Sequence, residues 1–260
     1  APADIALLLN VGHAHLGKFG SLDAIYQAKL ELFSHLRPGS ISLLPFFDER
    51  LRAACVPGDK QTFGKGSPDY SWNRVDLDPL KRTQTIQFNT PSGQRTVTVP
   101  RLGEYVGNLL SGIIAVCFHL GLTWDQIKSG LMVLPQEKGR STFINGLNDV
   151  LILDDTYNAN PESVIGMLET ICSLKMKRTI AVIGNLAELD ADLVESSAYM
   201  TAHFPESVSI LFLSGETGRI LSQAFNKHFP DLDSRYVESL PELAEQLSTF
   251  LDSHTVIGIK

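Results

Sequence analysis

The rhythm of apolar and polar positions changes once along this chain, near residue 141. Before that point the segments are of mixed type. Residues 5–11 form an almost unbroken apolar run, the mark of a strand buried on both faces. Ser21 is then a cap for apolar positions Leu22, Ile25, Ala28, Leu32, Phe33 and Leu36, whose spacing predicts a helix to about Leu36. Pro38-Gly39 ends it, and ISLLP at 41–45 predicts a short strand. Residues 46–82, rich in Gly, Pro, Asp and Lys, are expected to be irregular. The alternating TQTIQFN and QRTVTVP flank Pro91-Ser92-Gly93 and predict a hairpin. Gly103–Leu120 and Thr123–Leu134 carry helical spacing.

After residue 141 the runs DVLILDD, RTIAVIG, VSILFLS, SRYVES and TVIGIK alternate with helical stretches at about 161–174, 192–204, 216–228 and 240–252. Strands alternating with helices predict an α/β fold with a parallel sheet covered on both faces. The expected organisation is two domains, 1–140 and 141–260, the second a small, doubly wound, Rossmann-like domain.

Composition narrows the function classes. The chain has 260 residues, 43% hydrophobic and 20% charged, ordinary for a globular protein, and a formal charge of −7. Without a Lys/Arg block, that acidic balance argues against a nucleic-acid or anionic-membrane surface. The longest apolar runs, such as GIIAV at 112–116, fall far short of the ~20 residues that span a bilayer. The three cysteines, Cys55, Cys117 and Cys172, lack zinc-type spacing and are expected to be reduced cytosolic thiols. The first residues, APADIALLLNVG, have no basic stretch before the apolar run and do not resemble a signal peptide. Both ends are strand-like, which suggests a piece of a larger protein.

Common nucleotide motifs are absent from these residues. There is no G-x-G-x-x-G, and the nearest approach to a P-loop, Gly58 to Gly66, has the wrong spacing and is expected to be a solvated loop. Lys29 is more informative, because it falls within the apolar stripe of its helix. Burial disfavours the ammonium, and a neutral amine is a nucleophile that can combine with CO₂ to give a carbamate, an oxygen ligand for a metal. Spacing alone favours the simpler alternative of a buried stem with its head in water. His13 and His15 follow the first strand at its C-terminal end, where open α/β sheets place ligands. His13 is expected to be an incidental loop histidine.

Four segments carry a resemblance to the Mur ligases of peptidoglycan synthesis. They are NVGHAHLGKFGS (10–21) followed by AKLELF (28–33), the Gly139-Arg140 turn, DDTYNANP (154–161), and IAVIGNLAEL (180–189). They occur in family order and cover nearly the whole chain. DDTYNANP is most similar to the branch that adds D-alanyl-D-alanine. The resemblance implies that residues 1–140 are the later portion of a central ATP-binding domain and 141–260 the C-terminal ligase domain, truncated at its end.

It also implies roles. His15 and a carbamylated Lys29 would hold the second of two Mg²⁺ ions. Arg140 would reach the ATP phosphates, Asp155 would lie near the ribose with Thr156 and Tyr157 beside it, and Asn108 would contact adenine. Tyr105 and Val106 depart from the family's pattern before Asn108, and Asn185 stands in place of the usual Asp. Asn160 and Glu188 are as compatible with capping or turn roles as with chemistry.

The implied reaction is ATP-driven addition of D-Ala-D-Ala to UDP-MurNAc-tripeptide by a cytoplasmic, monomeric enzyme without membrane insertion. The family's phosphate-binding G-x-GK-T loop does not occur in these residues, so this chain alone is expected to be inactive. Two alternatives remain: a non-catalytic Mur-like binding module, or a relative with another amino-acid substrate, such as folylpolyglutamate or cyanophycin synthetase.

Overall fold

The computed structural model describes residues 2–14, 16–186 and 193–260. Contacts divide the chain into two compact units, Ala1–Gly12 with Leu22–Pro135, and His13–Ser21 with Gln136–Lys260.

The first unit is a six-stranded sheet in sequence order: β1 (Ala3–Leu7), β2 (Leu36–Pro45), β3 (Asp59–Gly64), β4 (Tyr70–Asp78), β5 (Thr83–Thr90) and β6 (Gly93–Val99). β1 to β4 pair in parallel, and β4, β5 and β6 are antiparallel. Successive side chains on a strand face opposite ways, and the core shows it. Leu43 joins Phe63, Trp72, Phe88 and Ile114 in one buried cluster, while Leu44 joins Tyr26, Phe33 and Leu51 in another. The first cluster lies under helix α4 (Glu104–His119), which packs across β1 to β5, and α5 (Trp124–Leu131), which packs on β6. α5 begins with a capping box between Thr123 and Gln126. Helices α2 (Leu22–Leu30) and α3 (Glu49–Ala53) supply Tyr26 and Leu51 to the second cluster; α1 (Leu16–Phe19) belongs to the other unit.

Two expectations are corrected here. The helix after Ser21 stops at Leu30, passes through a 3₁₀ turn at Glu31–Phe33, and the chain is already a strand at Leu36. Phe33 goes into the core at 2% exposure and Leu32 turns out to 47%, so the stripe follows Phe33. Residues 46–82 are not irregular, nor is Gly58–Gly66 a solvated loop: β3 pairs with β2 from Ile41↔Asp59 to Pro45↔Phe63 and carries the buried Phe63. The hairpin at Pro91-Ser92-Gly93 forms as expected, with Thr90 opposite Gly93.

The second unit has strands β7 (Thr142–Asn145), β8 (Leu151–Asp154), β9 (Arg178–Ile183), β10 (Ile210–Ser214), β11 (Asp233–Val237) and β12 (Thr255–Ile259). Their spatial order is β11-β10-β9-β12-β8-β7, all parallel except β7 on β8. The helices between them are α6 (Pro161–Ser173), α7 (Leu193–Ala202), α8 (Gly215–His228) and α9 (Leu240–Ser248). α6 packs on β12 and β9, and α8 on β10 and β11. One face of the sheet gathers Val150, Ile180, Phe212, Val237 and Ile257 with Leu243 and Leu247 of α9. The alternating pattern of the second half therefore gives the expected α/β sheet, with one antiparallel edge strand, β7, that the pattern did not reveal. Cys55, Cys117 and Cys172 are free thiols, and burial pushes the Cys117 and Cys172 thiols up.

In an open α/β sheet the strand C-termini form the rim where ligands sit. Here that rim brings together Asp154 and Asp155 after β8, Gly184 after β9, Ser214 at the end of β10 and Lys260 after β12. The Asp155 amide donates to the Ile259 carbonyl at 3.0 Å and the Gly184 amide to the Lys260 carbonyl at 2.8 Å, which tie these ends together.

Candidate functional site

The best-defined group in the second unit is built around Arg140. Gly139 and Ser141, on either side of it, both have left-handed backbones, with φ of 73° and 48°. Glycine adopts that region freely, whereas serine is held there at a cost of order 1–3 kcal/mol. A side chain at Gly139 would also crowd the Tyr157 amide, 3.2 Å from the position of its Cβ.

The surrounding structure fixes this turn through the rim of β8. The Gly139 amide donates to Asp154 Oδ2 at 3.2 Å, and the Tyr157 amide donates back to the Gly139 carbonyl at 3.0 Å. Asp155 Oδ1 accepts both the amide and the hydroxyl of Ser141, each at 2.9 Å. Thr156 Oγ1 donates to Asp154 Oδ1 at 2.7 Å, which orients that carboxylate. Arg140 itself is exposed, its guanidinium carbon 3.5 Å from the centre of the Tyr157 ring. A guanidinium stacked on an aromatic face is a planar fork of N–H donors, the geometry that matches a bidentate oxyanion.

Four expected residues, Arg140, Asp155, Thr156 and Tyr157, are thus brought together. Asp155 is engaged within the fold: its second oxygen pairs with Lys260. Asn160 caps α6, accepting the Ser163 amide at 2.8 Å in a capping box. His13 is not an incidental loop residue. It is 6% exposed, and both its amide and its Nδ1 bond Glu162 at the start of α6. Its burial had no signal in the spacing, because the partner lies 149 residues away. His15 and Glu188 lie outside the described residues.

In the first unit, Asn108 lies on α4 beside β3 and β4. Its Oδ1 accepts from the Trp72 indole at 2.8 Å and from the Lys65 amide at 3.1 Å. Indole N–H is a donor only, so the oxygen must face it. That leaves the amide nitrogen as the atom Asn108 can offer to a base acceptor. The Lys65 ammonium pairs with Glu104 at 2.8 Å.

Lys29 is half-buried in the last turn of α2 and donates to the Asn10 carbonyl at 2.8 Å. Asn10 begins the NVGHAHLG segment of the sequence. An ammonium cannot ligate a cation, and no group of three or more His, Cys, Asp or Glu side chains among the described residues could hold a metal ion. Only as a carbamate would Lys29 offer the oxygen ligand that Mg²⁺ takes. A helix C-terminus favours the cation over the carbamate, so a bound metal must offset that preference. The expected result, in the complete ligase with ¹³C-bicarbonate, Mg²⁺ and ATP, is a carbamate carbon resonance that Lys29→Met removes. A free amine under those conditions, seen by mass spectrometry or NMR, refutes the assignment.

The two units, an α/β sheet extended by a hairpin and a smaller parallel sheet with an arginine turn on its rim, match a pair of domain families. Residues 1–116 match the Mur ligase middle domain and residues 139–260 the Mur ligase, glutamate ligase domain. The chain belongs to the Mur ligase family.

Among curated relatives it is 33% identical over 191 residues to the UDP-N-acetylmuramoyl-tripeptide–D-alanyl-D-alanine ligase of Synechocystis, covering 73% of this chain and 40% of that protein. It is 28% identical over 251 residues to the Haemophilus influenzae ligase of the same name, covering 93% of this chain and 53% of that one. Among solved structures it resembles the MurF ligase from Thermotoga maritima in complex with ADP, with a TM-score of 0.83 and 25% identity over all of this chain and 58% of that one. The chain spans about half the length of the curated relatives it matches.

Proposed function

We propose that this chain forms part of a cytoplasmic, monomeric, MurF-type ligase that adds D-Ala-D-Ala to UDP-MurNAc-tripeptide at the expense of ATP. The observation that carries the reading is the Arg140 turn, a guanidinium presented by the carboxylate-lined end of β8 in a chain whose relatives bear that activity in their names.

The chemistry follows from the poor leaving group of a carboxylate. A carboxylate oxygen of the tripeptide attacks the γ-phosphorus, ADP departs, and the acyl phosphate now has phosphate as its leaving group. The amine of D-Ala-D-Ala attacks the acyl carbon, phosphate is expelled, and the ammonium proton passes to solvent. Negative charge collects at both steps, and a preorganised guanidinium stabilises it without reorganisation. Bound Mg²⁺ would neutralise phosphate charge, with carbamylated Lys29 and His15 as ligands from this chain. Asn108 would offer its amide nitrogen to the adenine. The rim of the second unit would receive the dipeptide.

The test is ADP release with each substrate omitted in turn. In the complete ligase, sustained multiple-turnover release is expected to require both UDP-MurNAc-tripeptide and D-Ala-D-Ala. The 260-residue chain alone, which has no G-x-GK-T loop, is expected to release none. Steady-state release by the complete protein at a rate that ignores D-Ala-D-Ala would remove the reading. Substrate-dependent release by the chain alone would show that these residues suffice for phosphate binding.

A further inference from the structure

One group near the arginine turn has no part in the chemistry above. Lys260, directly after β12, has a side chain only 4% exposed, and its ammonium pairs with Asp155 Oδ2. Its main chain is clamped on both sides by β9: its amide donates to the Val182 carbonyl at 2.9 Å, and its carbonyl accepts from the Gly184 amide at 2.8 Å. The ammonium therefore starts from a rigid sheet position and meets a carboxylate whose side chain is 12% exposed.

Removing one member of a buried ion pair leaves the other charge uncompensated, so the carboxylate would turn towards water. That rotation moves Oδ1, which holds the amide and hydroxyl of Ser141 at 2.9 Å. Ser141 is the non-glycine residue with φ of 48° directly after Arg140. A strained residue persists only where its surroundings over-determine it. Here the determinants are the two bonds from Asp155.

We propose that Lys260 is a positioning residue for Arg140, acting through the Asp155 carboxylate to lock Ser141 in its left-handed conformation. It sets the direction in which the guanidinium leaves the turn. The consequence for catalysis rests on the proposed role of Arg140 at the phosphates; the structural coupling does not.

The experiment is amide hydrogen exchange on the chain carrying Lys260→Met, resolved at Ser141 and at Leu211 in the middle of β10. A hydrogen bond to a charged group accounts for about tenfold or more in local protection. Exchange at Ser141 is expected to accelerate by at least about tenfold, with Leu211 unchanged. Lys260→Arg, which keeps the charge, restores Ser141 protection. If Lys260→Met does not fold, Lys260→Gln, which keeps a donor but no charge, serves in its place.

In the complete ligase the same variant lowers kcat and leaves KM for the tripeptide substrate unchanged. Unchanged Ser141 exchange in a folded variant overturns the proposal. So does a parallel loss of protection at Leu211 that Lys260→Arg fails to restore, since that is a general strand staple. Accelerated Ser141 exchange together with normal turnover by Arg140→Ala would uphold the clasp and defeat the phosphate reading.

Discussion

Arg140→Ala is expected to lower kcat of the complete ligase by about 10²–10³, the usual loss when one preorganised donor to developing negative charge is removed. Stability is expected to stay nearly constant. Arg140 is exposed, and its stacking on Tyr157 is of the surface kind that contributes about 0.5–1 kcal/mol. The pairing of a large kinetic effect with a small thermal one is what separates a phosphate-binding arginine from a structural one. Arg140→Lys should recover little of the loss, because an ammonium lacks the planar fork and does not stack in the same way. The measurement is steady-state kinetics beside a thermal melt. A variant within threefold of the parent in kcat would show that the guanidinium does not act on the phosphates.

Gly107→Ala should destabilise the first unit by about 2–4 kcal/mol, from overpacking and from the hydrogen bond lost with it. In the middle of a helix, glycine to alanine ordinarily adds about 1 kcal/mol of stability through propensity. Here the sign reverses because a Cβ at Gly107 would overlap the Trp72 ring. That ring is 2% exposed, sits on β4 opposite Phe88, and donates its indole N–H to Asn108 Oδ1 at 2.8 Å. Moving it breaks the bond that orients Asn108. Urea unfolding followed by tryptophan fluorescence reads the effect. A variant as stable as the parent would mean that α4 can lift off β4, and that Asn108 is not rigidly placed.

The parts of this molecule that were legible in its sequence are those whose signals are local. The strand-helix alternation after residue 141 announces a parallel sheet because each run carries its own periodicity. The DDTYNANP segment and Gly139-Arg140 announce a site because their residue types are unusual and contiguous. The region 59–78 was obscured because β3 and β4 are short on branched apolar residues and are interrupted by Gly64, Gly66 and Pro68. Their strand identity comes from pairing with β2 and β5, a tertiary fact.

The same holds for the support of the site. Trp72 and Asn108 are 36 residues apart, and Asp155 and Lys260 are 105 apart. Neither pairing leaves a trace in spacing. Lys29 was visible as a lysine in an apolar stripe, but its contact with the Asn10 carbonyl needed the fold. Asp155 shows the limit most plainly. Its motif drew attention to it, but the contacts of its two oxygens with the arginine turn and with Lys260 needed the fold.

The central claim, phosphorylation of a carboxylate before amide formation, has a direct isotopic test. UDP-MurNAc-tripeptide labelled with oxygen-18 in its terminal carboxylate is turned over by the complete ligase with ATP and D-Ala-D-Ala, and the inorganic phosphate is analysed by mass spectrometry. The account predicts one oxygen-18 atom in each phosphate released, because the oxygen that attacked the γ-phosphorus leaves with it. Phosphate that carries no label, formed alongside normal amide product, would contradict it.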